Sequence, residues 1–115
     1  MTDVAPPDSP MPGQLIVQSH KEGDSLLLSL QGELDLTSAP SFEREIHDAE
    51  ASTTGRIVID LSQLDFMDST GLRALLQARE RANASDRELA LRRGPRQVQR
   101  VLELTKTVDV FTFDD

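Results

Sequence analysis

Short apolar runs separated by turn residues open the patterned part of the chain: Leu15-Ile16-Val17-Gln18 and Ser25-Leu26-Leu27-Leu28-Ser29-Leu30, with Lys21-Glu22-Gly23-Asp24 between them. This pattern predicts two strands joined as a hairpin with a longer loop. After Gly32-Glu33-Leu34-Asp35 the period changes. Ala39, Phe42, Ile46 and Ala49 recur at helical spacing, Thr37 or Ser38 can cap the helix, and Pro40 suits its first turn. The run Arg56-Ile57-Val58-Ile59-Asp60-Leu61 is rich in consecutive β-branched residues, as strands covered on both faces are. A second helix is predicted from about Ser69 to Ala82, with Leu72, Leu75 and Leu76 inward and Arg73, Gln77, Glu80 and Arg81 outward. Leu89-Ala90-Leu91 reads as a short strand, and Gly94-Pro95 opens a third helix that buries Val98, Val101 and Leu102. Val110-Phe111-Thr112-Phe113 reads as a last strand.

The predicted order is therefore β-β-α-β-α-β-α-β. Helical crossovers favour parallel neighbours joined in the right-handed sense. The expectation is an α/β domain with one mixed sheet after an N-terminal hairpin and helices packed mainly on one face. Four of the six prolines (Pro6, Pro7, Pro10, Pro12) lie in the first dozen residues, so residues 1–13 are read as a disordered tail and 14–115 as the domain.

Composition narrows the function classes. With 12 Lys+Arg against 20 Asp+Glu, the net charge of −8 argues against nucleic acid, which needs clustered cations. The absence of Cys removes disulfides, thiolate nucleophiles and zinc-thiolate sites, and fits a reducing compartment. No apolar run approaches the roughly 20 residues that span a bilayer, and the acidic start MTDVAPPDSPMPG lacks the features of a signal peptide. A cytoplasmic protein without membrane insertion is expected.

The segment Phe66-Met67-Asp68-Ser69-Thr70-Gly71-Leu72 stands out, because a hydroxyl pair is flanked there by a carboxylate and a glycine. One reading is purely local: Ser69 and Thr70 are both good N-caps, and Asp68 complements the positive end of a helix. Gly71 just inside the helix costs about 1 kcal/mol relative to alanine, so it suggests close approach of another group to the backbone. Catalytic readings fit poorly. An aspartic-protease loop needs one Ser/Thr between Asp and Gly, where Ser69 and Thr70 both intervene. The hydrolase elbow Gly-x-Ser-x-Gly is not met, since Met67 holds its first glycine position. A nucleophilic serine also needs a base, and His20 and His47, both expected at the surface, lie in other elements. No Gly-rich phosphate cradle and no histidine pair at metal-ligand spacing is present. No cofactor, metal or catalytic residue is therefore expected.

The remaining reading makes the hydroxyl the object of chemistry. Phosphorylation adds about −1.5 to −2 charge at pH 7. That charge would land beside Asp68, with Asp65 close in sequence and Asp35 expected nearby, so a partner resting on this surface would meet new charge and bulk.

Taken in order, Gly32-Glu33-Leu34-Asp35, Ile59-Asp60-Leu61, Phe66-Met67-Asp68-Ser69-Thr70-Gly71-Leu72, Gly94-Pro95 and Leu102-Glu103-Leu104-Thr105 resemble a bacterial anti-sigma-factor antagonist of the STAS domain family. The resemblance covers about residues 14–115, and the Asp-Ser-Thr-Gly-Leu segment in this context is highly specific. It implies a protein that binds an ATP-using serine-kinase anti-sigma factor and so frees a sigma factor. It further implies that the kinase inactivates the protein by phosphorylating Ser69 and that a metal-dependent serine phosphatase restores it. Asp35, Asp68, Thr70, Gly71 and Leu72 are then the implied partner-binding residues. A second reading stays open: a STAS subunit of a larger assembly, such as a lipid-transport ATPase or a stress-signalling scaffold, in which the hydroxyl only caps. One position departs from the resemblance. Relatives tend to end the third helix in a glycine near Leu104-Thr105, and Lys106 in its place predicts a different helix ending.

Overall fold

The computed structural model describes residues 14–53 and 55–114. Its elements run β1 (Leu15–Glu22), β2 (Ser25–Leu34), α1 (Ala39–Ser52), β3 (Ile57–Met67), α2 (Ser69–Ala84), β4 (Leu89–Arg92), α3 (Arg96–Leu104), a single 3-10 turn at Val108–Val110, and β5 (Thr112–Phe113). The predicted Pro-rich tail, residues 1–13, lies outside the described residues. Among the described residues the strands form one five-stranded sheet in the order β1-β2-β3-β4-β5. The β1–β2 hairpin is antiparallel and the other three pairings are parallel, which gives the mixed sheet expected from the helical crossovers. The predicted last strand is shorter than its apolar run, because Val110 belongs to the 3-10 turn and only Thr112 and Phe113 pair with β4.

Side chains alternate across the pleat, so one sheet face takes Leu26, Leu28 and Leu30 of β2, Ile57 and Ile59 of β3, and Leu89 and Leu91 of β4. These residues join Phe42, Ile46 and Ala49 of α1, Leu72, Leu75 and Ala78 of α2, and Val98 and Leu102 of α3 in the main core. Complete burial of one such side chain contributes roughly 1.5–3 kcal/mol. Among the described residues the opposite face buries a small cluster, Leu27, Val58 and Ala90. Charged side chains pair on that side: Arg56 with Asp114 at 2.6 Å, Arg92 with Asp114 at 3.3 Å, and Arg92 with Glu22 at 3.3 Å. Hydrogen bonds from Arg56 in particular hold the Asp114 carboxyl below its ordinary pKa.

β3 extends past Leu61, where the sequence pattern ended. Beyond Asp60 the apolar spacing changes from two to three: Leu61, Leu64 and Met67 are buried, with Ser62, Gln63, Asp65 and Phe66 exposed between them. The pairing with β2 explains this, since the register shifts between Ser29 and Gln31 and again between Gly32 and Glu33. Each bulge adds one residue to β3 and resets its inward phase. Gly32, at φ 108°, adopts at the second bulge a backbone conformation that suits glycine.

The expected different ending of α3 is corrected. The amide of Thr107 donates to Leu102 O at 2.9 Å and that of Lys106 to Glu103 O at 3.1 Å, with Lys106 at φ 60°. This is the Schellman pattern that a glycine makes, formed here by a lysine at a conformational cost. α2 ends in the same way, with Asp86 at φ 56° and the Arg87 amide donating to Ala82 O at 2.8 Å.

Candidate functional site

β2 and β3 run parallel and pair Leu34 with Met67, so the residues that follow, Asp35 and Asp68, leave neighbouring strands at the same sheet edge. The two loops are tied together by the Asp68 amide, which donates to Leu34 O at 3.2 Å. Here the strand ends deliver the N-termini of α1 and α2, and the hydroxyl pair stands at the second of these.

The cap of α2 is Asp68, in place of the Ser69 or Thr70 that the sequence also allowed. Its backbone is extended, and its Oδ1 accepts from the Gly71 amide at 3.0 Å. Ser69 and Thr70 are therefore the first and second helical residues, and their hydroxyls are released from capping. Ser69 is exposed, whereas Thr70 is half-buried. The close approach that Gly71 permits is met by the protein itself. A Cβ at residue 71 would stand 2.5 Å from Leu34 O and 2.8 Å from Leu34 Cγ, so the glycine lets α2 seat on the end of β2. Leu72 is buried in the main core. These two residues shape the loop from within, and the solvent-facing part of Asp68–Leu72 is Ser69 with parts of Asp68 and Thr70.

Asp35 organises the neighbouring loop. Its Oδ1 accepts from the Thr37 hydroxyl at 2.8 Å, the Thr37 amide at 3.0 Å and the Ser38 amide at 3.1 Å. The Thr37 hydroxyl, with these amides, holds the Asp35 carboxyl below its ordinary pKa against a smaller opposing effect of desolvation. Ser38 occupies the N-cap position of α1 without bonding the helix through its side chain. Its buried hydroxyl instead accepts from the Asp35 amide at 2.9 Å and donates to Glu33 O at 2.7 Å. The fold thus brings Asp35 and Asp68 to one edge, each with its carboxylate occupied in its own loop.

Sequence reasoning missed two residues of this edge. Leu36 is 71% exposed and Phe66 is 47% exposed, one beside each loop. In the sequence both continue an apolar alternation, Leu36 two residues after Leu34 and Phe66 two after Leu64, so nothing set them apart from the buried positions. Among the described residues no group of His, Cys, Asp and Glu is arranged to hold a metal, and no helix is long and apolar enough to cross a membrane.

Residues 16–115 match the family model of the STAS domain. The chain is 30% identical over 103 residues to the anti-sigma-F factor antagonist RsfB of Mycobacterium tuberculosis, covering 88% of this chain and 84% of that one. Its fold is similar to the crystal structure of an anti-sigma factor antagonist from Mycobacterium paratuberculosis, with TM-score 0.73, 24% identity and coverage of 97% of this chain and 92% of that chain. It is also similar to the Bacillus cell fate determinant SpoIIAA in its phosphorylated form, with TM-score 0.65, 19% identity and coverage of 87% and 92%.

Proposed function

This chain belongs to the STAS domain family, and from that membership we propose that it is an anti-sigma-factor antagonist whose binding is switched at Ser69. In its unmodified form it binds an ATP-using serine-kinase anti-sigma factor and releases a sigma factor. Phosphorylation of Ser69 by that kinase ends binding, and a metal-dependent serine phosphatase reverses it. The protein itself acts by binding and not by catalysis, in the cytoplasm. The antagonist role draws support from the 30% identity to RsfB.

The observation that carries the switch is the division of labour in Asp68–Leu72. Asp68, Gly71 and Leu72 hold the helix start in place, which leaves Ser69 exposed and uninvolved in capping. Asp35 and Asp68 supply negative charge at the same edge, and Leu36 and Phe66 supply apolar contact area. Thr70 is half-buried and offers its hydroxyl less freely. A phosphoryl group on Ser69 would place a dianion in the middle of this surface.

Calorimetry with the partner kinase and nucleotide tests the reading. Ser69→Ala binds as the parent does and resists inactivation by ATP, while Ser69→Asp binds more weakly. Added salt relieves part of the Ser69→Asp defect if charge is its cause. Peptide mass spectrometry after incubation with kinase and ATP finds the phosphate on Ser69. Equal affinities for the parent, both variants and the phosphorylated protein would reduce the loop to a structural element, as in an assembly subunit.

A further inference from the structure

Arg73 stands four residues after Ser69 on α2, and both are exposed. In a helix each Cα–Cβ bond tilts toward the N-terminus, so a long side chain covers the turn that precedes it. The guanidinium of Arg73 therefore lies back toward the turn that Ser69 begins. An anionic residue four positions before a cation is also the favourable order for a pair along a helix.

Most other arginines with a partner among the described residues lie toward the far ends of β3 and α2, and the exposed Arg96 starts α3 one residue before Gln97, which donates to Asp65 O at 3.2 Å. Arg56 and Arg92 pair with Asp114, Arg81 with Glu50, and Arg87 with the backbone oxygens of Glu50 and Thr53. Arg73 makes no hydrogen bond or ion pair among the described residues. Carboxylates lie close to Ser69 in the chain and fold: Asp68 beside it, Asp35 on the neighbouring loop and Asp65 near the end of β3. Asp68 accepts from the Gly71 amide, so one of its oxygens is already taken. A phosphoryl group arriving here meets like charge from both loops, and a free planar guanidinium one helical turn away.

We propose that Arg73 is the residue that holds a phosphoryl group on Ser69, fixing it against the protein's own helix and neutralising part of its charge before any partner meets it. This rests on Ser69 being the modified residue and adds to that reading how the modified state is kept. The modification then acts on a partner more by ordered bulk, and less by net charge, than an unpaired phosphate would.

The test needs no kinase. Phosphoserine is installed at position 69 during translation in the full chain, in the parent, Arg73→Ala, Arg73→Lys and, as a control, Arg96→Ala, which removes an exposed cation at the start of α3. Phosphorus NMR follows the phosphate through its second ionisation. The midpoint in the parent lies at lower pH than in Arg73→Ala by about 0.3 units, the size of a helical charge pair. Thermal melting supplies a second readout: the change in Tm caused by phosphorylation is about 2 °C more favourable in the parent than in Arg73→Ala. Arg73→Lys keeps part of both effects, and Arg96→Ala keeps them whole. Identical midpoints and identical melting changes in the parent and Arg73→Ala overturn the proposal, as does loss of the effect in Arg96→Ala instead. Failure of the unmodified protein to bind any kinase would overturn the proposed function while leaving this measurement able to decide for or against Arg73.

Discussion

Asp68 and Ser69 are adjacent, yet their hydroxyl and carboxylate have separate tasks, and substitutions separate them. Asp68→Ala removes the cap of α2 and leaves the Gly71 amide without its side-chain partner. It should lower stability by about 0.5–2 kcal/mol, measured by urea unfolding. Ser69→Ala changes an exposed residue that caps nothing. It should stay within about 0.5 kcal/mol of the parent. A Ser69→Ala protein as damaged as Asp68→Ala would mean that the serine, after all, supports the helix start. Gly71→Ala is the sharper case. The new methyl would meet the backbone oxygen of Leu34 at 2.5 Å, and a backbone atom cannot rotate away. Overpacking of this kind costs typically 1–3 kcal/mol, more than the helix propensity gained by alanine. A more stable Gly71→Ala protein would contradict the seating of α2 on β2.

The ends of elements are where local conformation and neighbouring structure compete most closely. Lys106 takes φ 60° to close α3, a conformation that glycine adopts at little cost. Lys106→Gly should therefore stabilise the protein, by up to about 1 kcal/mol after the entropy of the glycine is counted, and a chemical denaturation curve would show it. The sequence made the middles of elements legible because their apolar positions repeat: Phe42, Ile46 and Ala49 of α1 and Ile57 to Ile59 of β3 lie where the pattern put them. It was less informative where the fold interrupts a period. Two bulges make Leu61, Leu64 and Met67 recur every third residue, which matches neither a simple strand nor a helix, so the strand pattern stops six residues early. The same interruption hid Phe66. At the loop, the residue types were readable but their roles were not, since Asp68, Ser69 and Thr70 can each cap. Only the extended backbone at Asp68 and its bond to Gly71 decide among them.

On the scale of the whole molecule, stability depends on a central strand buried on both faces and on charge pairs across the thinner face. Ile59 is fully buried in the main core. Ile59→Asp would place an unpaired charge there at a cost of several kcal/mol, comparable with the stability margin of a small domain, and should leave an unfolded or insoluble protein. A variant that melts with the parent would refute the central position of β3. Acid should act through Asp114 and Asp35, whose pKa values are lowered from 3.8 in the folded protein. Their contribution is present above the unfolded pKa and is lost as pH falls through the lower folded one. Stability should therefore decline below about pH 4. Asp114→Asn should make that decline shallower in denaturation curves measured across the acid range. The strand order has its own consequence. Each strand pairs with the one before it in sequence, so no strand has to be inserted between two that already touch. A chain emerging from a ribosome can thus add each strand to the free edge of a sheet already begun, and the segment Asp68–Leu72, between the third and fourth strands, is set in place before the sheet is complete.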